Sequence, residues 1–111
     1  MDCIFCKIAH GETPVDLLHD DGTVVAFHDL APQAPTHILI IPKEHHANVG
    51  NLAAASPETV GRLFAVAQLL ADERSLDGHR TVFNTGESAG QSVFHAHLHL
   101  MGGRSFTWPA G

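Results

Sequence analysis

The stretch His95-Ala96-His97-Leu98-His99-Leu100-Met101 constrains this chain more than any other. Three histidines at every second position, separated by apolar residues, carry the period of a half-buried strand. The alternation predicts three imidazoles on one face of a sheet, with Phe94, Ala96, Leu98 and Leu100 turned into a core on the other. Side chains two apart on a strand lie roughly 6.5–7 Å from one another. At that spacing imidazoles can share a small anionic group or serve a metal. A lone histidine is more often a solvated surface residue. Three in strict alternation, preceded by Gly90-Gln91-Ser92, point to chemistry.

The rest of the composition narrows the partners. A chain of 111 residues is one domain, spanning 1–111, with room for a single core. A formal charge of −6 with only six Lys and Arg argues against sequence-independent binding to nucleic acid, which needs many cations against phosphate. One phosphate is still within reach of local histidines and backbone N–H groups. No apolar run approaches the roughly 18–20 residues that cross a bilayer, and Met1-Asp2-Cys3-Ile4-Phe5 has no signal-peptide character. The expected location is the cytoplasm. In that reducing setting Cys3 and Cys6, spaced Cys-x-x-Cys, suggest a metal or a redox pair before a structural disulfide. They supply only two of the four ligands of a structural zinc site.

Read in order, Cys3 to His10 is a short apolar knot with one turn of helix, ended by Gly11 and Pro14. Leu17-Leu18 and Thr23 to Phe27 flank Asp20-Asp21-Gly22 and predict a hairpin. Pro32 and Pro35 forbid ladder pairing beyond Asp29, which is placed either to accept hydrogen bonds from a diol or to cap a turn. Thr36 to Pro42 is a continuous apolar strand, expected at the centre of the sheet, followed by a loop carrying His45 and His46. Ser56-Pro57-Glu58 opens the one long helix. Its stripe of Val60, Leu63, Phe64, Ala67, Leu70 and Ala71 packs on the sheet or on a second copy, and it ends near 75–78. Arg80 to Asn84 is a strand, and a Gly/Ser loop then leads into the histidines. The tail, with the single Trp108, is expected along the body or across a dimer interface. The fold class is α+β: an antiparallel sheet of about five strands, one long helix and a short N-terminal helical turn.

Imidazoles beside a Gly/Ser loop suit phosphorus chemistry. An imidazole attacks phosphorus near neutral pH with little activation, and leaves a phosphorus–nitrogen bond that water can break. A second imidazole can stabilise a phosphoryl oxygen or handle the leaving group's proton. Ser92, loop N–H groups and Asn84 can hold other oxygens. No metal is required for this chemistry. A rival use of the same residues is a zinc site of two cysteines and two histidines, stapling the N-terminal knot to the sheet.

Gln91 to Met101 resembles the His-φ-His-φ-His-φ-φ signature of the histidine triad (HIT) family. Phe27-His28-Asp29, Pro32 to His37, Ile41-Pro42-Lys43, Gly102-Gly103-Arg104 and Trp108-Pro109 are similar to its Hint branch, so the likeness covers nearly the whole chain. The resemblance implies a HIT-like homodimer that transfers nucleotides to water from nucleoside 5′-phosphoramidates or acyl-adenylates, releasing an AMP-type nucleotide. It implies His97 as the nucleophile, forming a covalent nucleotidyl-histidine, with His99 on the phosphate and His37 supporting. Asn84, Gly90, Gln91 and Ser92 correspond to phosphate-binding positions, His28 and Asp29 to the ribose side, and Phe5, Ile8, Phe27 and Leu30 to the base pocket. The expected ligand is a purine nucleotide conjugate. Cys3 and Cys6 resemble zinc-carrying members, in which a structural Zn²⁺ would fall on Cys3, Cys6, His45 and His95. The related dinucleoside polyphosphate hydrolases match the tail less well. Two other readings are a nucleotide-binding module without turnover and a zinc-stapled interaction protein.

Overall fold

The computed structural model describes residues 3–111. Its centre is a five-stranded antiparallel sheet with strand order β1-β2-β3-β5-β4. The strands are β1 (His19–Asp20), β2 (Val24–His28), β3 (Thr36–Pro42), β4 (His79–Val82) and β5 (Leu98–Gly102). The apolar run of β3 does take the middle position, because both of its faces are covered and a continuous apolar strand fits nowhere else.

Parity along the strands builds two cores. Val24, Ala26, Ile38, Ile40, Leu98 and Leu100 point to one face, where helices α2 (Val49–Ala55) and α3 (Pro57–Glu73) cover them. Leu63, Val66, Ala67, Leu70 and Ala71 are the buried stripe of α3, so the long helix packs on the sheet. The opposite parity, Val25, Phe27, Leu39 and Ile41, meets Phe5, Ile8 and Ala9 of the short helix α1 (Ile4–Ala9). His99 has this second parity: it pairs with Leu39 of β3, and Leu98 and Leu100 beside it face α3. The alternation of the histidine stretch thus delivers His99 to the α1 face.

Four expectations are corrected. Regular pairing of the histidine strand begins at Leu98, not His95, and the preceding turn leaves Phe94 half exposed. Phe64 of the α3 stripe is also largely exposed, edge-on to Phe83. In the hairpin the paired residues are His19 and Asp20 rather than Leu17 and Leu18, although the Leu18 amide still donates to the Ala26 carbonyl at 2.8 Å. Helix α2 had no sequence signal, since Leu52 is its single buried residue. It starts where the Asn48 side chain accepts the Asn51 amide at 2.9 Å.

Candidate functional site

Two clusters of histidines lie on the α1 side of the sheet, and the Phe5 ring touches a member of each. Phe5 meets His95 and His97 edge-on, with centroids 6.1 and 5.0 Å away.

The first cluster is Cys3, Cys6, His45 and His95, whose donor atoms all lie within 4.8 Å of one another. Cys3 is the N-cap of α1 and Cys6 sits in its first turn, so the helix itself sets the thiol pair. The Cys6 amide donates to Cys3 Sγ at 3.2 Å. His95 Nδ1 is 3.3 Å from Cys3 Sγ, 3.4 Å from Cys6 Sγ and 3.1 Å from His45 Nδ1, and Cys6 Sγ is 3.3 Å from His45 Nδ1. Ordinary zinc bond lengths make the edges of a tetrahedral site about 3.3 Å between two nitrogens, about 3.6 Å between nitrogen and sulfur and about 3.8 Å between two sulfurs. The observed separations fall close to those values.

Protonation agrees with this fit. His95 Nε2 lies 2.8 Å from the Pro42 carbonyl, which can only accept, so this nitrogen carries the hydrogen and Nδ1 presents a lone pair to the cluster. Burial, against that carbonyl contact, pushes the His95 pKa down to about 4, so the ring is neutral. Burial and the neighbouring Cys3 raise the Cys6 thiol to about 11. A thiol held there is no thioredoxin-like nucleophile, whereas a bound dication would drive its ionisation. His46, the next residue of the same loop, turns away to Glu44.

The second cluster is His37, His97, His99 and Asp29. The His97 ring is nearly buried, and its Nδ1 donates to the His95 carbonyl at 2.8 Å, leaving the Nε2 lone pair free. The Gln33 amide donates to His37 Nδ1 at 3.0 Å. His37 Nε2 is 2.9 Å from His99 Nδ1 and 3.4 Å from Asp29 Oδ2. Burial, followed by the facing His97 and His37 rings, lowers the His99 pKa to about 4, although Asp29 opposes the shift. His99 Nε2 is buried without a hydrogen-bond partner among the described residues. Asp29 uses its other oxygen to accept the Ala31 amide at 2.8 Å, the turn-capping role, and keeps Oδ2 toward the histidines.

His97 and His99 open into a cavity of about 320 Å³ lined also by Phe5, Ile8, Phe27, His28, Asp29, Leu30 and Ser92. Its wall is mainly apolar, and Ile4, Val15, Leu39 and Val93 complete it. The sequence reading missed these four. Leu39 was findable, since it follows His37 by two on β3. A larger cleft beyond α1, about 600 Å³, is lined by Lys7, Lys43 and Glu44 and reaches the first cluster at Cys6 and His45.

Asn84, Gly90 and Gln91 do not line the histidine cavity. Gln91 is buried and its side chain is fully engaged. It accepts the Gly86 amide at 2.9 Å and donates to the carbonyls of Ala47 at 2.7 Å and Val93 at 3.0 Å. It braces the loop that carries Ser92. That loop closes only because Gly90 takes φ +92°, a left-handed conformation that glycine adopts without strain. The His45 loop is tied in as well, since the Ala96 amide donates to the His46 carbonyl at 2.7 Å.

Known proteins resemble this chain in sequence and fold. An uncharacterized HIT-like protein of Synechococcus elongatus is 46% identical over 111 residues, covering 99% of this chain and 97% of that protein. The purine nucleoside phosphoramidase of Escherichia coli strain K12 is 43% identical over 105 residues, covering 93% of this chain and 88% of that one. The crystal structure of a HIT family hydrolase from Legionella pneumophila superposes with TM-score 0.94 at 46% identity, covering 99% and 100% of the two chains. A histidine triad protein from Clostridium difficile gives TM-score 0.91 at 39% identity, covering 96% and 95%. The HIT domain profile matches residues 10–106, and this chain belongs to the HIT domain family.

Proposed function

We propose that this protein is a nucleotide hydrolase that cleaves the phosphorus–nitrogen bond of nucleoside 5′-phosphoramidates, and the related bond of acyl-adenylates. The observation that carries the reading is the pair of ring nitrogens at the cavity. His97 offers an Nε2 lone pair, and His99 offers a buried Nε2 without a partner. A phosphoryl group placed between them meets a nucleophile on phosphorus and a donor on oxygen. His97 Nε2 attacks, the bond to the leaving amine breaks, and the amine departs with a proton from solvent at the cavity mouth. Water then hydrolyses the nucleotidyl-His97 bond and releases the nucleotide. The His95 carbonyl supports the positive charge that develops on the His97 ring. Ser92, on the cavity wall, offers a hydroxyl to another phosphoryl oxygen in this reading. The relative named as a purine nucleoside phosphoramidase supports both the bond and a purine nucleotide.

The apolar wall of Phe5, Ile8, Phe27 and Leu39 suits a base held by stacking and burial, with Asp29 Oδ2 on the ribose side. Few base-reading polar groups line it, so discrimination between bases is modest. Cys3, Cys6, His45 and His95 hold a structural Zn²⁺ in this reading. With four protein ligands the metal supplies no open position to substrate and acts by fixing α1 and the His45 loop to the histidine stretch. The protein works as a homodimer in the cytoplasm, where the thiols stay reduced for metal.

Release of AMP from adenosine phosphoramidate, measured for wild type beside His97→Ala with a diadenosine polyphosphate in parallel, tests the reading. Turnover of the phosphoramidate that the substitution abolishes supports it. Preference for the polyphosphate moves the protein to the dinucleoside polyphosphate hydrolases, with the same nucleophile. Binding of AMP without turnover of either substrate leaves a nucleotide-binding module.

A further inference from the structure

Asp29, His37 and His99 place three donor atoms within 4.8 Å of one another, two imidazoles and one carboxylate. That donor set holds iron and zinc in many proteins. Its protonation here is wrong for a metal. The Gln33 amide is a donor only, so the His37 Nδ1 that accepts it, 3.0 Å away, must present its lone pair, and the hydrogen of the neutral ring sits on Nε2. His37 Nε2–H then donates to His99 Nδ1 at 2.9 Å, which puts the His99 hydrogen on the buried Nε2 of a ring that lines the cavity. A metal on this set would need the lone pair of His37 Nε2. The displaced hydrogen would move to Nδ1, and two N–H groups would face each other across 3.0 Å.

The backbone group behind each ring decides its use. A carbonyl, Pro42, backs the metal-facing His95, and a carbonyl, His95, backs the nucleophile-bearing His97; both rings present lone pairs. An amide backs His37, and the His37–His99 pair presents N–H groups instead.

Gln33 lies between Pro32 and Pro35 in a segment without a ladder partner, so something else must hold its amide in place. Arg104, 71 positions away on the tail after β5, does so: its Nε donates to the Gln33 carbonyl at 3.0 Å. Its Nη1 donates to the Ser105 carbonyl at 3.1 Å, and its guanidinium lies 4.2 Å above the Phe106 ring. Gly103, at φ +89°, lets the tail pass the same segment closely, since a Cβ there would come within 2.9 Å of Pro35.

We propose that Arg104 and the Gln33 backbone form a positioning device that fixes His37 and His99 as Nε2–H donors and keeps divalent metal ions off the Asp29–His37–His99 set. Arg104 acts through Gln33 and does not touch the cavity. The consequence for turnover rests on the reading proposed above. The tautomers and the metal content do not, so the two ideas can fail separately.

The test uses the protein as purified, labelled with ¹⁵N-histidine, and reads long-range proton–nitrogen correlations. The expected wild-type result is Nε2–H at both His37 and His99; Nδ1–H at either one overturns the proposal, and no variant is needed to see it. Cobalt(II) is then titrated into wild type, Arg104→Ala, Arg104→Lys and Gln33→Pro, with stoichiometry read by native mass spectrometry. Gln33→Pro, which deletes the amide, should take up one more ion per chain than wild type. Arg104→Ala should bind that extra ion at least tenfold more tightly than wild type, and Arg104→Lys, which keeps a donor, should fall between them. Equal cobalt uptake by wild type and a folded Gln33→Pro overturns the proposal. In turnover assays, Arg104→Ala should lower kcat several-fold with KM within about twofold.

Discussion

His97 Nδ1 donates to the carbonyl of His95 at 2.8 Å, so the ring that faces the cavity is oriented by the backbone of the residue whose own ring belongs to the Cys3–Cys6–His45 cluster. The Zn²⁺ proposed for that cluster would tie the His95 side chain to α1 and the His45 loop, and its removal would loosen that tie. A ligand at 1,000 times its dissociation constant stabilises the fold by about 4 kcal/mol. For a domain of this size that corresponds to at least about 10 °C in Tm. Chelation should lower the calorimetric Tm by that amount and zinc should restore it. An unchanged Tm after verified metal removal would sink the structural role.

Replacing the proposed nucleophile should leave the fold alone. His97→Ala removes a ring at the cavity wall, and its expected loss of turnover is on the order of 10³-fold or more. Circular dichroism should be unchanged, and mass spectrometry should detect a nucleotidyl-protein adduct with wild type and none with the variant.

Stability should fall as the solution is acidified, in part through His99. Its folded-state pKa of about 4 lies below the ordinary histidine value near ~6.5. The unfolded chain therefore binds a proton that the folded chain refuses between those two values. The contribution is fully present above about pH 6.5, declines below it, and is lost by about pH 4. Urea midpoints from pH 7.5 to 4 should drop, and His99→Gln should flatten the slope. An equal slope in wild type and variant would contradict this assignment.

Gln91→Ala should damage function through the loop. It strands the Gly86 amide and the Ala47 carbonyl that the side chain now satisfies. A fully buried group left unpaired costs about 1–3 kcal/mol, and these two are partly buried, so the loss falls toward the lower end. The denaturation midpoint should fall accordingly, and KM should rise because Ser92 loses its support. A stable variant with wild-type KM would show that the brace is dispensable.

Leu70→Ala serves as the contrasting variant. Leu70 is buried in the helix–sheet core on the opposite face of the sheet from the cavity. Such truncations cost about 2–5 kcal/mol, so equilibrium unfolding should show that loss while KM at low temperature stays unchanged.

The two-residue period of the histidine stretch was enough to separate His97 and His99 from Leu98 and Leu100. The continuous apolar run of Thr36 to Pro42 was enough to place β3 at the centre. These were legible because side-chain direction along a strand follows from backbone geometry alone. The same holds for α3, whose stripe repeats at three and four residues over several turns. Helix α2, anchored only by Leu52, and the late start of β5 carried no comparable periodic signal. Cys3, Cys6, His45 and His95 entered as ligands by family resemblance, since their spacing along the chain says nothing about distance.

Only the tertiary structure decided how each imidazole is used. Protonation of a neutral ring depends on whether a carbonyl or an amide stands behind it. The groups concerned are the carbonyls of Pro42 and His95, which every residue type possesses, and the amide of Gln33, which every type but proline possesses. Side-chain identity therefore located the histidines on one face of the sheet, and the path of the folded backbone assigned a lone pair to His95 and His97 and an N–H to His37 and His99.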